Sequence, residues 1–127
     1  MLTTLRGFSG FSVRDTAESA AFYRDVLGLT VRETPMGLEV DATGGSPIFV
    51  YGKGDAHEPA SFTVLNLVVE DIDEAVAELA GSGTTLLRYP DFEQDERGVV
   101  RSADLSQGPT IGWVADPSGN VIALIEA

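Results

Sequence analysis

A pattern near the start of the chain returns 56 residues later. Val13, Asp15, Glu18 and Ala21 recur as Val69, Asp71, Glu74 and Ala77. Each time a β-rich run leads into an Asp, and a helix-spaced apolar stripe follows. The first run covers 6–14, with Phe11 and Val13 on one face. Asp15 then stands where it can cap the first amides of a helix, and Glu18 follows three residues on. Ala17, Ala20, Ala21, Val26 and Leu27 carry the helix to Gly28, which can adopt the left-handed conformation that ends it. Strands are expected at 29–34, 37–42 and 47–52, turned by 35–37 and 43–45. The second copy gives a strand at 62–70, a cap at Asp71 and a helix through Ala75, Val76, Leu79 and Ala80. Gly81 and Gly83 close that helix. A strand at 84–89 comes next, then a polar, acidic excursion at 90–108 with a short strand near 98–102. Strands at 110–115 and 121–126 flank a tight turn from Asp116 to Asn120.

The chain therefore reads βαβββ twice, an α+β pattern with modules at 1–52 and 62–127 and a polar linker at 53–61. One module of about 55 residues cannot bury a sheet face alone, so two must pack together, within one chain or between chains, and a single domain over 1–127 is the expectation. The 127 residues are 43% hydrophobic, enough for a core. Zero Cys excludes disulfides, thiolate metal sites and cysteine nucleophiles. A single His excludes any two-His metal site within one chain. With 8 Lys+Arg against 20 Asp+Glu, the net charge of −12 argues against nucleic acid and anionic membrane surfaces as partners. No basic leader with an apolar run is visible, and no stretch approaches 18 apolar residues. A soluble, cytoplasmic protein is the expectation.

Three segments together resemble one family. They are 11–29 (Phe11 to Leu29), 69–79 (Val69 to Leu79) and the turn from Asp116 to Asn120 with the strand after it. In this order they are similar to the vicinal oxygen chelate superfamily of glyoxalases, bleomycin resistance proteins and extradiol dioxygenases. The resemblance implies two βαβββ modules curling into an open, curved sheet around a cavity, and a homodimer. It also implies that catalytic members hold a divalent metal on cavity-facing strand positions. Those positions fall on Phe8, Val64, Ala123 and, within a residue or two, Phe49. All four side chains lack a lone pair for a metal. The resemblance thus carries the fold and the cavity, with no metal and no cofactor.

Strand alternation lists what shares a face with the lost ligand positions: Gly10 and Ser12 with Phe8, Asn66 and Val68 with Val64, Tyr51 with Phe49, and Ile125 with Ala123. Trp113 lies on the neighbouring strand with its facing open. The expected ligand-binding set is Phe8, Ser12, Phe49, Tyr51, Val64, Asn66, Trp113 and Ala123, apolar with a few polar groups as small-molecule pockets are. No catalytic residue is assigned. His57 lies in the linker between Asp55 and Glu58, and surface packing is its plainer role. The acidic run Asp91 to Glu96 reads as a solvated loop, with Phe92 as a candidate lid anchor. Arg97 and Arg101 are placed to pair with its carboxylates. The first functional expectation is metal-free binding of a small apolar or aromatic molecule, with cations favoured by the charge. A metal-independent isomerase, lyase or hydrolase is the alternative. A metal-dependent glyoxalase or dioxygenase with ligands elsewhere ranks third.

Overall fold

Each Asp that the repeat aligns does cap a helix. A computed structural model describes residues 1–42 and 44–127. Thr43, in the expected turn at 43–45, and the side chain of Leu105 lie outside the described residues. The chain divides into two compact units, Met1–Pro59 and Ala60–Ala127.

In the first unit Asp15 Oδ1 accepts the amides of Ala17 at 2.9 Å and Glu18 at 3.3 Å, opening α1 at Thr16–Ala21. The Glu18 carboxylate takes a salt bridge with Arg14 at 3.4 Å. The single helix expected through Leu27 changes character at Phe22. Residues Phe22–Val26 form a π-helical turn, with the Leu27 amide donating to the Phe22 carbonyl five residues back. The wider turn buries the adjacent rings of Phe22 and Tyr23 together, edge to face at 5.3 Å. Gly28 (φ 72) then reverses the chain. Strands β1 (Gly10–Val13), β2 (Thr30–Thr34), β3 (Gly37–Asp41) and β4 (Ile48–Gly52) form a sheet in the order β1-β4-β3-β2. Strand β1 runs parallel to β4 and the other pairs are antiparallel. Phe11, Val13, Leu38, Val40 and Val50 are buried on the helix side. β1 starts later than expected: residues 6–9 are not strand, although the Ser9 carbonyl still accepts the Phe49 amide at 3.0 Å.

In the second unit Asp71 Oδ1 accepts the amides of Asp73 at 2.9 Å and Glu74 at 3.2 Å, and α2 runs Ile72–Gly81. Its Ile72, Val76 and Leu79 are buried. Strands β5 (Thr63–Val69), β6 (Ile111–Ala115) and β7 (Val121–Glu126) form a three-stranded sheet in the order β5-β7-β6, with β5 parallel to β7 and β6 antiparallel to it. The turn between β6 and β7 has Gly119 at φ 85, as its residues lead one to expect.

The expected strand at 84–89 does not form. One ladder bond survives, from the Leu87 amide to the Trp113 carbonyl at 2.7 Å. On the other side a side chain takes the place of a neighbouring strand. Gln94 Oε1 accepts the Tyr89 amide at 2.7 Å, and its Nε2 donates to the carbonyls of Leu87 at 2.8 Å and Gly98 at 2.7 Å. The strand expected near 98–102 reduces to one bridge, Val100 to Ile111. Leu86 locks this segment to the sheet. A Cβ on Gly112 would stand 2.6 Å from Leu86 Cδ1, and one on Gly98 would stand 2.8 Å from Leu86 Cβ. The α+β class expected from the repeat holds, with four strands in the first unit and three in the second. No helix among the described residues is long and apolar enough to cross a membrane.

Candidate functional site

Strand register decides which residues share a face. In the first unit Gly10 pairs with Phe49, Ser12 with Tyr51, and Glu39 with Phe49. These residues look away from the buried face that holds Phe11, Val13, Leu38 and Val50. Phe49 and Tyr51 stack at 5.7 Å with 18° between planes. Phe8, just before β1, stands edge-on to Phe49 at 6.5 Å, and the Arg6 guanidinium lies 5.0 Å from the Phe8 ring centre. A Cβ on Gly37 would meet the Phe49 ring at 3.1 Å, so this glycine leaves the ring its room. Phe8 is 57% exposed and Tyr51 37%, unusual for rings gathered this closely. Arg6, Phe8, Glu39, Pro47 and Phe49 line a pocket of about 200 Å³ beside them. Arg32 clamps Glu39 on the same face at 2.6 Å.

The linker adds a residue to this face that sequence reasoning set aside. His57 Nδ1 and Ser12 Oγ are hydrogen-bonded at 2.8 Å, half-buried, across 45 residues of chain. The tautomer decides which of the two donates. A 3₁₀ turn at Gly54–Ala56 aims the imidazole there. Its signal in the sequence was only the parallel β1–β4 pairing, which brings the end of β4, and hence the linker, back beside β1.

In the second unit Asn66 and Trp113 both pair with Ala123, which settles the facing of Trp113. The alternation expected through Val64 breaks, because the register shifts between Thr63 and Leu65. Thr63, paired with Val121, takes the place on this face that alternation assigned to Val64. Asn66 is exposed and Ala123 is buried. Trp113 meets Tyr89 at 5.2 Å and Phe92 at 5.1 Å, and Phe92 meets Tyr89 at 6.5 Å. These rings, with Phe62, Thr63 and Val121, border a pocket of about 170 Å³. Phe92 is thus anchored on Trp113.

The acidic run around it is folded tightly. Asp95 Oδ1 accepts the amides of Arg97 at 3.0 Å and Val99 at 2.9 Å. Arg101 bridges Asp95 at 3.1 Å and Asp73 of α2 at 2.5 Å. Its hydrogen bond holds Asp73 below the ordinary carboxylate range, against partial burial. Burial pushes Asp95 up, but the Val99 amide, Arg101 and the Arg97 amide together outweigh it and leave the group lowered.

A metal does not fit the positions that the family's pattern would give it. Phe8, Phe49, Val64 and Ala123 carry no donor atom. Among the described residues no group of three or more His, Asp or Glu is placed to hold one.

A family model described as the Glyoxalase/Bleomycin resistance protein/Dioxygenase superfamily matches residues 8–124. No curated protein matches the chain. Among solved structures, the chain is similar to TnmS3, an antibiotic binding protein from a Streptomyces species. The identity is 21%, the TM-score 0.65, and 98% of each chain is covered. It is also similar to a genomically encoded fosfomycin resistance protein from Listeria monocytogenes, at 11% identity and TM-score 0.68, covering 100% of this chain and 95% of that one. A superfamily member from Sphaerobacter thermophilus gives 21% and 0.66, covering 97% and 98%.

Proposed function

The chain belongs to the Glyoxalase/Bleomycin resistance protein/Dioxygenase superfamily, and from that premise we propose that it is a metal-free binding protein for a small aromatic or apolar cation. The observation that carries this reading is the stack of half-buried Phe49 on exposed Tyr51, with exposed Phe8 edge-on beside it. Rings gathered at this spacing suit a planar guest, and a cationic guest adds attraction to the ring faces. The net charge of −12 raises the local concentration of such a guest. Donor-free side chains at the metal positions support binding without a metal. The antibiotic-binding neighbour is consistent with the same class of function. The proposal includes a homodimer as the working form, as the family resemblance implies, and sedimentation velocity measures it.

The Ser12–His57 pair favours a second reading, a metal-independent hydrolase. An imidazole beside a hydroxyl can take its proton as the hydroxyl attacks a carbonyl. One experiment addresses both. Proflavine, a planar cation, is titrated into the wild type, Phe49→Ala and Tyr51→Ala, with circular dichroism confirming the fold. Each variant is expected to bind about three- to tenfold more weakly, the loss of one ring–cation contact. Equal affinity in all three proteins sinks the binding proposal. Covalent labelling by a fluorophosphonate that vanishes in Ser12→Ala would instead favour the hydrolase.

A further inference from the structure

A further pocket lies in the second unit, beside α2. It has a volume of about 420 Å³. Val76 and Ala80 of α2 and the stem of Leu86 give it an apolar wall. Thr84 and Thr85 add hydroxyls. Arg88 and Arg97 stand at the rim, with Glu96 as the one carboxylate there. The placement of charge is what singles it out. From Ala60 onward the chain has 12 Asp+Glu and only 3 Arg, with no Lys. Two of those three arginines converge on this pocket.

Arg88 is held unusually. Its Nη1 and Nη2 donate to the carbonyls of Asp95 at 2.7 Å and Glu96 at 2.6 Å. No carboxylate pairs with it among the described residues, whereas Arg97 and Arg101 both have one. Carbonyl oxygens orient the guanidinium without neutralising it. Its position is therefore fixed while its full charge remains available to a ligand. Arg97 reaches Asp73 only at 3.6 Å, a loose pairing that a ligand carboxylate can compete with.

We propose that this pocket is a second ligand site, for a small amphipathic carboxylate. The hydrocarbon lies along Val76, Ala80 and Leu86, and the carboxylate meets Arg88 and Arg97. The site is independent of the aromatic face and takes a guest of opposite charge. Octanoate is the probe, with octanol and octylamine as controls, followed by the methyl and amide shifts of isotope-labelled protein. Shifts at Val76, Ala80, Leu86 and the Arg88 side chain are expected with octanoate, and binding at least about fivefold weaker with octanol and octylamine. Arg88→Gln should weaken octanoate by a similar factor, about fivefold, while leaving octanol unchanged. Ala80→Trp, an exposed helix position, fills the pocket and should abolish the shifts with the fold retained. Octanoate binding that survives Ala80→Trp, equal binding of all three probes, or the absence of shifts at these residues would overturn the proposal.

Discussion

Asp116 is 4% exposed, yet it is a carboxylate in the turn between β6 and β7. Its Oδ1 accepts the amides of Ser118 at 2.9 Å and Asn120 at 2.8 Å, and Asn120 Nδ2 donates to Oδ2 at 3.1 Å. Asn120 Oδ1 in turn accepts the Ala60 amide at 3.3 Å, fastening the start of the second unit to this turn. Asp116→Ala strips acceptors from buried donors and is expected to destabilise by about 2–4 kcal/mol, because the orphaned amides bear the desolvation penalty. Asp116→Asn keeps one acceptor and should lose less. Urea unfolding of both variants measures the difference. At this scale the sequence was readable where chemistry is local. The caps Asp15 and Asp71 and the left-handed Gly119 follow from residue type and position alone. The Ser12–His57 pair does not, because 45 residues separate its members and only the strand order brings them together.

Between residues and the molecule, the segment from Thr84 to Arg101 departs furthest from its sequence pattern. Its alternation looks like a strand, yet the ladder bonds it makes are one at Leu87 and the pair of the Val100–Ile111 bridge. Periodicity reports which face a residue prefers, not what satisfies its backbone. Here a glutamine side chain does so, and no local pattern announces that. The π-helical turn was hidden for the same reason, since the spacing of apolar residues in 16–27 fits an α-helix equally well. The Asp95 and Asp73 cluster makes this segment acid-sensitive. Both carboxyls are lowered in the folded state from the ordinary 3.8. Their contribution is complete above that value and is lost as pH falls through the folded pKa values, because the unfolded chain then binds protons more readily. Protection of the Arg97 and Val99 amides, relative to their intrinsic exchange rates, should therefore fall in acid before that of the strands of the second unit. In Asp95→Asn protection of these two amides should already be lower at neutral pH and change less with acid. Equal pH profiles for the two proteins would contradict this.

Across the whole chain, charge rather than shape separates the two kinds of guest. The field of a −12 chain attracts a cation and repels an anion. Raising salt from about 10 mM to about 1 M shortens the screening length from about 30 Å to about 3 Å. Proflavine binding should weaken over that range, and octanoate binding should weaken less, because salt screens the long-range repulsion of the chain along with the attraction of the exposed Arg88. Calorimetry at the two extremes tests it, and a parallel loss for both probes would tie both to non-specific ion exchange. The repeat at an offset of 56 foretold the α+β class. It could not foretell that the second unit would have three strands, or that a pocket would open beside α2.

The glutamine that replaces a strand has one more consequence. A ladder between two strands constrains every residue along both, so neither can change length without shifting its partner. Gln94 confines that constraint to one side chain and three hydrogen bonds. Pro90, Asp91 and Glu93 can therefore be exchanged without shifting a strand register, while Phe92 keeps its ring contact with Trp113 of β6. The stretch that borders the Trp113 pocket is thus tied to the rest of the second unit through side chains on either side of it, so a new guest preference can be grafted at Pro90, Asp91 and Glu93 without redrawing a strand ladder.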